Sequence, residues 1–296
     1  MNRGALFGIG AVAIWASYMV LAKQGVSAGL NGMDFAFLRF VTAGVVVLPW
    51  LLGRGVHDLA GVGWPRAIGL ALTAGPLFIL AGVGGFAHAP LAHGAVVQPA
   101  TIVIASTALA AWVFGERPGT SRMIGIAVMV GGLAAIAGPS LWTGTHTVLL
   151  GDALFVTAGL LWSVFTVLTK RWRVPALPAT AALSFVSMLA VTPAYLFTDG
   201  LPRLAALPFD VLLLQIVVQG VLSGVVAVLL FTRANELLGP SRAAVFPATV
   251  PAAAMLLGVP VLAAWPTAGQ WAGLTLVSLG LLVAVFATRK APASSR

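Results

Sequence analysis

The 296-residue sequence contains no cysteine and little charge, with Asp, Glu, Lys and Arg making up only 8% of it. Without a thiol, disulfide scaffolds, thiolate zinc sites, iron–sulfur clusters and cysteine nucleophiles are all excluded. Soluble domains carry about 25% charged residues, so this chain has too few to cover a surface facing water. That excludes an ordinary soluble enzyme. It also excludes a disordered chain, which is polar and charge-rich. Acidic residues are scarcest, seven against 16 basic ones, for a formal charge of +9. What fills the sequence is apolar: 60% comes from AVILMFWYC, with 34 Gly besides.

The long uncharged runs set the architecture. Residues 67–115 and 243–288 contain no Asp, Glu, Lys or Arg, and one membrane crossing needs about 20 apolar residues. Each run therefore reads as two crossings joined by a short turn, near Phe86–His93 and near Ala264–Thr267, where Gly, Pro and His gather. With the shorter runs, ten spans are predicted: 4–22, 34–52, 66–86, 94–114, 121–138, 152–170, 179–197, 209–232, 243–263 and 269–288. Continuous apolar character over such lengths indicates helices, because barrel strands alternate over about 10 residues.

Orientation follows from the cations, which concentrate in cytoplasmic loops. Arg3, Arg54, Arg66, Arg117, Arg122, Lys170, Arg171, Arg173, Arg233, Arg242, Arg289, Lys290 and Arg296 fall on one side of the ten spans. Lys23 and Arg203 fall on the other, and Arg39 lies inside span 2. Both termini are thus expected in the cytoplasm of a multi-pass inner-membrane protein, with lipid rather than nucleic acid as the partner of the positive charge. The first apolar run has span length and no clear small-residue cleavage site, so a secretory signal is not expected.

The sequence also repeats itself at an offset of 145 to 148 residues. Gly4, Ala11, Trp15, Val20, Leu21 and Lys23 correspond to Gly151, Ala158, Trp162, Val167, Leu168 and Lys170, with Tyr18 on Phe165. Gln98-Pro99-Ala100-Thr101 corresponds to Phe246-Pro247-Ala248-Thr249, and Pro118, Gly125 and Gly132 correspond to Pro266, Gly273 and Gly280. Five crossings per copy is an odd number, so the second copy is inverted relative to the first. The predicted fold is an all-α membrane protein of ten transmembrane helices in two inverted five-helix repeats, at 1–140 and 148–290, with a cytoplasmic tail at 291–296. Inverted halves are a recurrent transporter design, with the substrate held near the midplane between them.

The ten spans, the proline in the fourth span of each repeat, Gly115-Glu116-Arg117-Pro118 closing span 4 and a glycine-rich fifth span together resemble the EamA-type branch of the drug/metabolite transporter superfamily. The resemblance runs from Arg3 to Arg289 and points within the branch to aromatic amino-acid exporters of the YddG kind. It implies export of a small amphipathic metabolite by alternating access. One departure is that the second repeat has Ala264, followed by Trp265, where the first has Glu116.

Several residues are candidates for contact with that solute. Trp15 and Tyr18 share a face of span 1, and Trp162 and Phe165 share the matching face of span 6; they form either an aromatic cage or ordinary helix packing. Gln215, Gln219 and Ser223 recur every fourth residue of span 8, as a polar cavity wall or as interhelical glue. Pro99 and Pro247, with Pro251, are candidate kinks or hinges, and Gln98, Thr101 and Thr249 stand beside them. Arg39 either snorkels to the headgroups or draws carboxylates to the outer mouth. Glu116 reads as a cytoplasmic cap and salt bridge or as an inner gate, and His88 and His93 read as parts of a polar turn.

Asp34, Asp152, Asp210 and Glu116 all fall at predicted helix ends, where capping and dipole effects account for them. With no acid at mid-bilayer, facilitated export is favoured over proton coupling. No metal site or cofactor is expected, and a monomer suffices. A nucleotide-sugar or multidrug carrier is the alternative within the superfamily. The former would want several converging cations, and only Arg39 qualifies. A membrane-embedded enzyme would need a catalytic constellation, and the sequence has no GxSxG, no HExxH and no paired intramembrane acids.

Overall fold

The computed structural model describes residues 3–143, 146–238, 243, 245–263 and 265–286. Ala264, Arg242, Arg289, Lys290, Arg296 and the tail 291–296 lie outside the described residues. Helix limits fall where Asn, Pro and Gly dictate them. Helix α1, Arg3–Ser27, stops just before Gly29, whose φ of +95° suits glycine. Helix α2, Gly32–Arg54, starts from a capping box in which Asn31 accepts from the Met33 and Asp34 amides and Asp34 accepts from Asn31.

The third predicted span, at 66–86, is not one helix. It is broken into α3, Trp64–Ala74, and α4, Pro76–His88. Proline cannot supply the amide that would continue α3, so Gly75-Pro76 interrupts the span in its middle. Then come α5, Leu91–Phe114; α6, Thr120–Thr143; α7, His146–Trp172; and α8, Ala176–Leu196. A short helix α9, Gly200–Ala205, follows. The predicted eighth span is also irregular: α10, Phe209–Gln215, passes into a π-helical segment, Ile216–Val226, and then into α11, Ala227–Leu238. Helices α12, Val245–Leu262, and α13, Ala268–Phe286, complete the order.

No strand occurs among the described residues, and eight helical stretches in them are long and apolar enough to cross a membrane. Two shorter apolar helices, Thr120–Ile136 and Ala268–Ala284, accompany these. Large apolar side chains such as Leu6, Val45, Leu52, Leu160 and Leu256 are exposed on the outside of the bundle, as expected of a lipid-facing surface. The chain is a multi-pass membrane protein.

The two ends of the sequence are interleaved. Helix α1 packs on α11 and α12, α7 packs on α4 and α5, and α2 lies along α8. Along the α5–α7 seam His93 meets Asp152, Ser106 meets Thr166 and Lys170 meets Glu116. The numbers ascend together, so α5 and α7 run parallel and α6 carries the chain back between them. Helices α6 and α13 cross antiparallel, in contact backbone to backbone. A Cβ at Gly125 would stand 2.6 Å from the Gly280 carbonyl oxygen, and one at Gly132 would stand 2.9 Å from that of Gly273. Small residues allow this approach where lipid offers no hydrophobic drive for association.

Candidate functional site

Three elements converge on the polar stripe of the eighth span. Gly220 lies against Thr42 so closely that a Cβ there would be 2.4 Å from the Thr42 Cβ, and one at Gly224 would be 3.3 Å from the Ala43 Cβ. These glycines let the π segment settle onto α2, which brings Ser223 to Arg39: the guanidinium Nη1 donates to Ser223 Oγ at 3.1 Å. The same guanidinium stands 5.3 Å from the Tyr18 ring centre and 6.0 Å from that of Phe40. Among the described residues no carboxylate comes within 4.0 Å of Arg39. Arg39 therefore turns into the bundle. Snorkelling is corrected, because Ser223 and Tyr18 hold the cation between α1, α2 and the π segment.

Above this cation the amides form a chain. Gln215 donates from Nε2 to the Leu21 carbonyl at 3.0 Å, and Gln219 donates from Nε2 to Gln215 Oε1 at 3.1 Å. Both side chains are 1% exposed, and Gln219 Oε1 is buried without a hydrogen-bond partner. A carbonyl left unpaired in an apolar interior costs about 1–3 kcal/mol.

The aromatic candidates separate into two groups. Trp15 leans on Phe231 of α11, with ring centres 5.5 Å apart. Trp162 lies between Phe78 of α4 and its own neighbour Phe165, at 5.0 Å and 5.1 Å. No ring contact among the described residues joins Trp15 or Tyr18 to Trp162 or Phe165. A single closed cage is thus not what the helices form: each first-span tryptophan instead rests on a third-span phenylalanine from the other end of the sequence.

The proline neighbours are mostly committed to helix packing. Thr101 donates to Val97 O at 2.8 Å and packs on Gly159 of α7, whereas Thr249 is exposed and donates to Phe246 O at 2.8 Å. Gln98 is half-buried, with Oε1 facing Gly82. Pro99 sits inside α5, and Pro251 and Pro260 sit inside α12. Pro247 falls in the first turn of α12 as described, where a missing amide costs the helix nothing. Glu116 pairs with Lys170, whose ammonium stands 4.7 Å from the Phe114 ring centre, and both side chains are about half exposed.

Two features escaped the sequence reading. Gly75-Pro76 breaks the third span, and at the offset of 147 residues these positions correspond to Leu222 and Ser223, inside the π segment. Both third spans are thus irregular at matching points, the arrangement that marks binding sites in transporters with repeated halves. A glycine-proline pair inside an apolar run was the available signal. The other feature concerns carboxylates. Asp34 is fully buried, accepting from the Tyr195 hydroxyl at 2.6 Å, Arg203 Nη1 at 2.8 Å and the Asn31 amide at 2.7 Å. That hydrogen bond and the carboxylate charge hold the Arg203 guanidinium above its ordinary pKa. Asp152 is not a helix-end cap as expected: it lies inside α7, buried against His93 of α5, with Nδ1 and Oδ1 2.8 Å apart. His93 accordingly belongs to the interior and not to a polar turn.

A family model described as the EamA-like transporter family matches residues 2–138 and again residues 149–286. No curated protein matches the chain. A solved crystal structure, described only as that of a protein, superposes with a TM-score of 0.62 at 20% sequence identity, over 95% of this chain and 96% of its own. At that identity the likeness concerns the fold.

Proposed function

The chain belongs to the EamA-like transporter family, and on that premise we propose that it exports small amphipathic metabolites, foremost amino acids with aromatic side chains. The observation that carries this reading is Arg39, which has no carboxylate within 4.0 Å among the described residues and is held between Tyr18 and Ser223, on the stripe that carries the unpaired Gln219 carbonyl. A charge at membrane depth costs about 2.5–3.5 kcal/mol on insertion scales. Stacking on Tyr18 returns about 0.5–2 kcal/mol of this, and a substrate carboxylate supplies the missing anion. The Gln219 carbonyl then accepts from the substrate ammonium, while Tyr18 and the Trp15–Phe231 pair meet its apolar body.

Transport runs by alternating access across ten spans, with both termini in the cytoplasm of the cell's inner membrane and the two repeats inverted. The glycine contacts between α6 and α13 support this. The repeat pairs Gly125 with Gly273 and Gly132 with Gly280, and exchanging the partners maps the contact of Gly125 with Gly280 onto that of Gly273 with Gly132. Only a two-fold axis between antiparallel helices has that property.

Counterflow in proteoliposomes tests the substrate. Labelled tryptophan is expected to exchange through the wild type and not through R39Q, whereas its decarboxylated amine is expected to exchange through neither. Equal exchange of the amine would overturn the assignment of Arg39. Labelling engineered cysteines from each side tests the topology, with positions 23 and 170 expected on opposite faces.

A further inference from the structure

The described residues contain two buried carboxylates, and they are served very differently. Asp34 is saturated: a permanent cation, a phenol and an amide use both oxygens. Asp152 has only His93. The His93 and Asp152 side chains are 5% and 11% exposed, and Asp152 Oδ2 is buried with no hydrogen-bond partner. A carboxylate with one oxygen neither paired nor solvated is a poor resting place for a full negative charge.

The surroundings argue for a proton over a metal ion. Among the described residues no group of three His, Cys, Asp or Glu side chains converges, so a divalent cation would find two ligands at most. Lys23 of α1 reaches the C-terminal end of α4. It donates to the Phe86 and Ala89 carbonyls at 2.6 Å and 3.1 Å, and Ala89 packs on Gly151 next to Asp152. His88 ends α4, and His146 opens α7 with its side chain exposed. Lys23 is thus spent on carbonyls at the C-terminal end of α4, which a cation there stabilises, and it does not neutralise Asp152.

We propose that His93 and Asp152 form a proton-binding site at the α5–α7 seam, coupled to the transport cycle. One proton from the adjoining aqueous phase adds to Asp152 at Oδ2, turning carboxylate into carboxylic acid. The reverse step returns it to water, and no other bond changes. His93 and Asp152 share one 2.8 Å contact, so the site holds one proton more or fewer while α5 and α7 stay in register. Proton-coupled export is thus the proposal set against the expectation of facilitated export.

Two measurements test the site. In pH-dependent infrared difference spectra of purified protein, the wild type is expected to show a buried carboxylic-acid carbonyl band that D152N lacks. H93Q is expected to keep the band with an altered pH profile. A band unchanged in D152N, or no such band in the wild type, would overturn the site. Coupling rests on the transport reading and is measured in proteoliposomes at clamped voltage. There, a pH gradient is expected to drive tryptophan uphill through the wild type, while D152N retains counterflow but loses the response to the gradient. Uphill transport retained in D152N, or absent from a wild type active in counterflow, would overturn coupling. If tryptophan does not exchange at all, the substrate assignment fails while the infrared result still decides the site.

Discussion

The third spans of the two repeats meet the same requirement by different means. In the first, Gly75-Pro76 cuts the helix into α3 and α4. In the second, the chain stays helical but changes its hydrogen-bond register over Ile216–Val226. Proline removes a donor and leaves a break; a π segment keeps its donors and widens the turn. The consequence is chemical asymmetry on a symmetric frame. The continuous version carries Ser223 to the Arg39 guanidinium and lines up Gln219 and Gln215 beyond it, whereas the broken one presents Phe78 to Trp162. Repetition sets where the spans run, and each copy then specialises what it shows.

The largest expected effect strikes the shared frame. Gly132→Leu forces a side chain into the Gly273 carbonyl and is expected to prevent recovery of folded protein. Its neighbour Gly131→Leu, whose Cβ would meet nothing within 4 Å, should leave the melting curve in detergent unchanged. Equal behaviour of the two would remove the close contact of α6 with α13.

Next comes the asymmetry itself. Arg39→Gln loses a charged hydrogen bond worth about 1.5–3 kcal/mol, so tryptophan flux should fall roughly 10- to 150-fold. Ser184, which the repeat sets against Arg39 at an offset of 145 residues, should tolerate Ala with flux unchanged. A comparable loss in both would mean that the two copies share the solute's charge.

A smaller effect is expected at the open carbonyl. Gln219→Leu forfeits a neutral acceptor, about 0.5–1.5 kcal/mol, and should slow tryptophan by roughly 2- to 12-fold while sparing the analogue that lacks the amino group. Competition assays with the two compounds decide it. Smallest of all is Lys170→Met, since an exposed ion pair contributes about 0–1 kcal/mol. Its melting temperature should stay within error of the wild type, and a drop in flux without a drop in stability would make the Glu116–Lys170 contact a gate.

Much of the frame was legible in the sequence because membrane spans announce themselves by length and composition. The glycines of the fifth spans were legible too, since Gly125, Gly132, Gly273 and Gly280 keep their spacing in both copies. The stripe of Gln215, Gln219 and Ser223 was visible as helical periodicity. What it touches was not, because the meeting with Arg39 depends on Gly220 settling on Thr42, a fit between side chains 178 residues apart in sequence. For the same reason Arg39 stood between snorkelling and an outer-mouth role: depth can be counted along a chain, but direction cannot. His93 was assigned to a polar turn and Asp152 to a helix end, since nothing local reveals that α5 and α7 run side by side. The repeat set Trp15 against Trp162, but their partners Phe231 and Phe78 were invisible, because these do not occupy matching positions.

The four glycines of α6 and α13 have one more implication. Their contact is self-complementary: each helix offers the other the same two notches at the same separation. A polypeptide of half this length, holding only one of the copies, would therefore carry everything needed to dock on a sister molecule inserted the opposite way up. The seam between the two fifth spans thus has the form of a dimer interface contained within one chain.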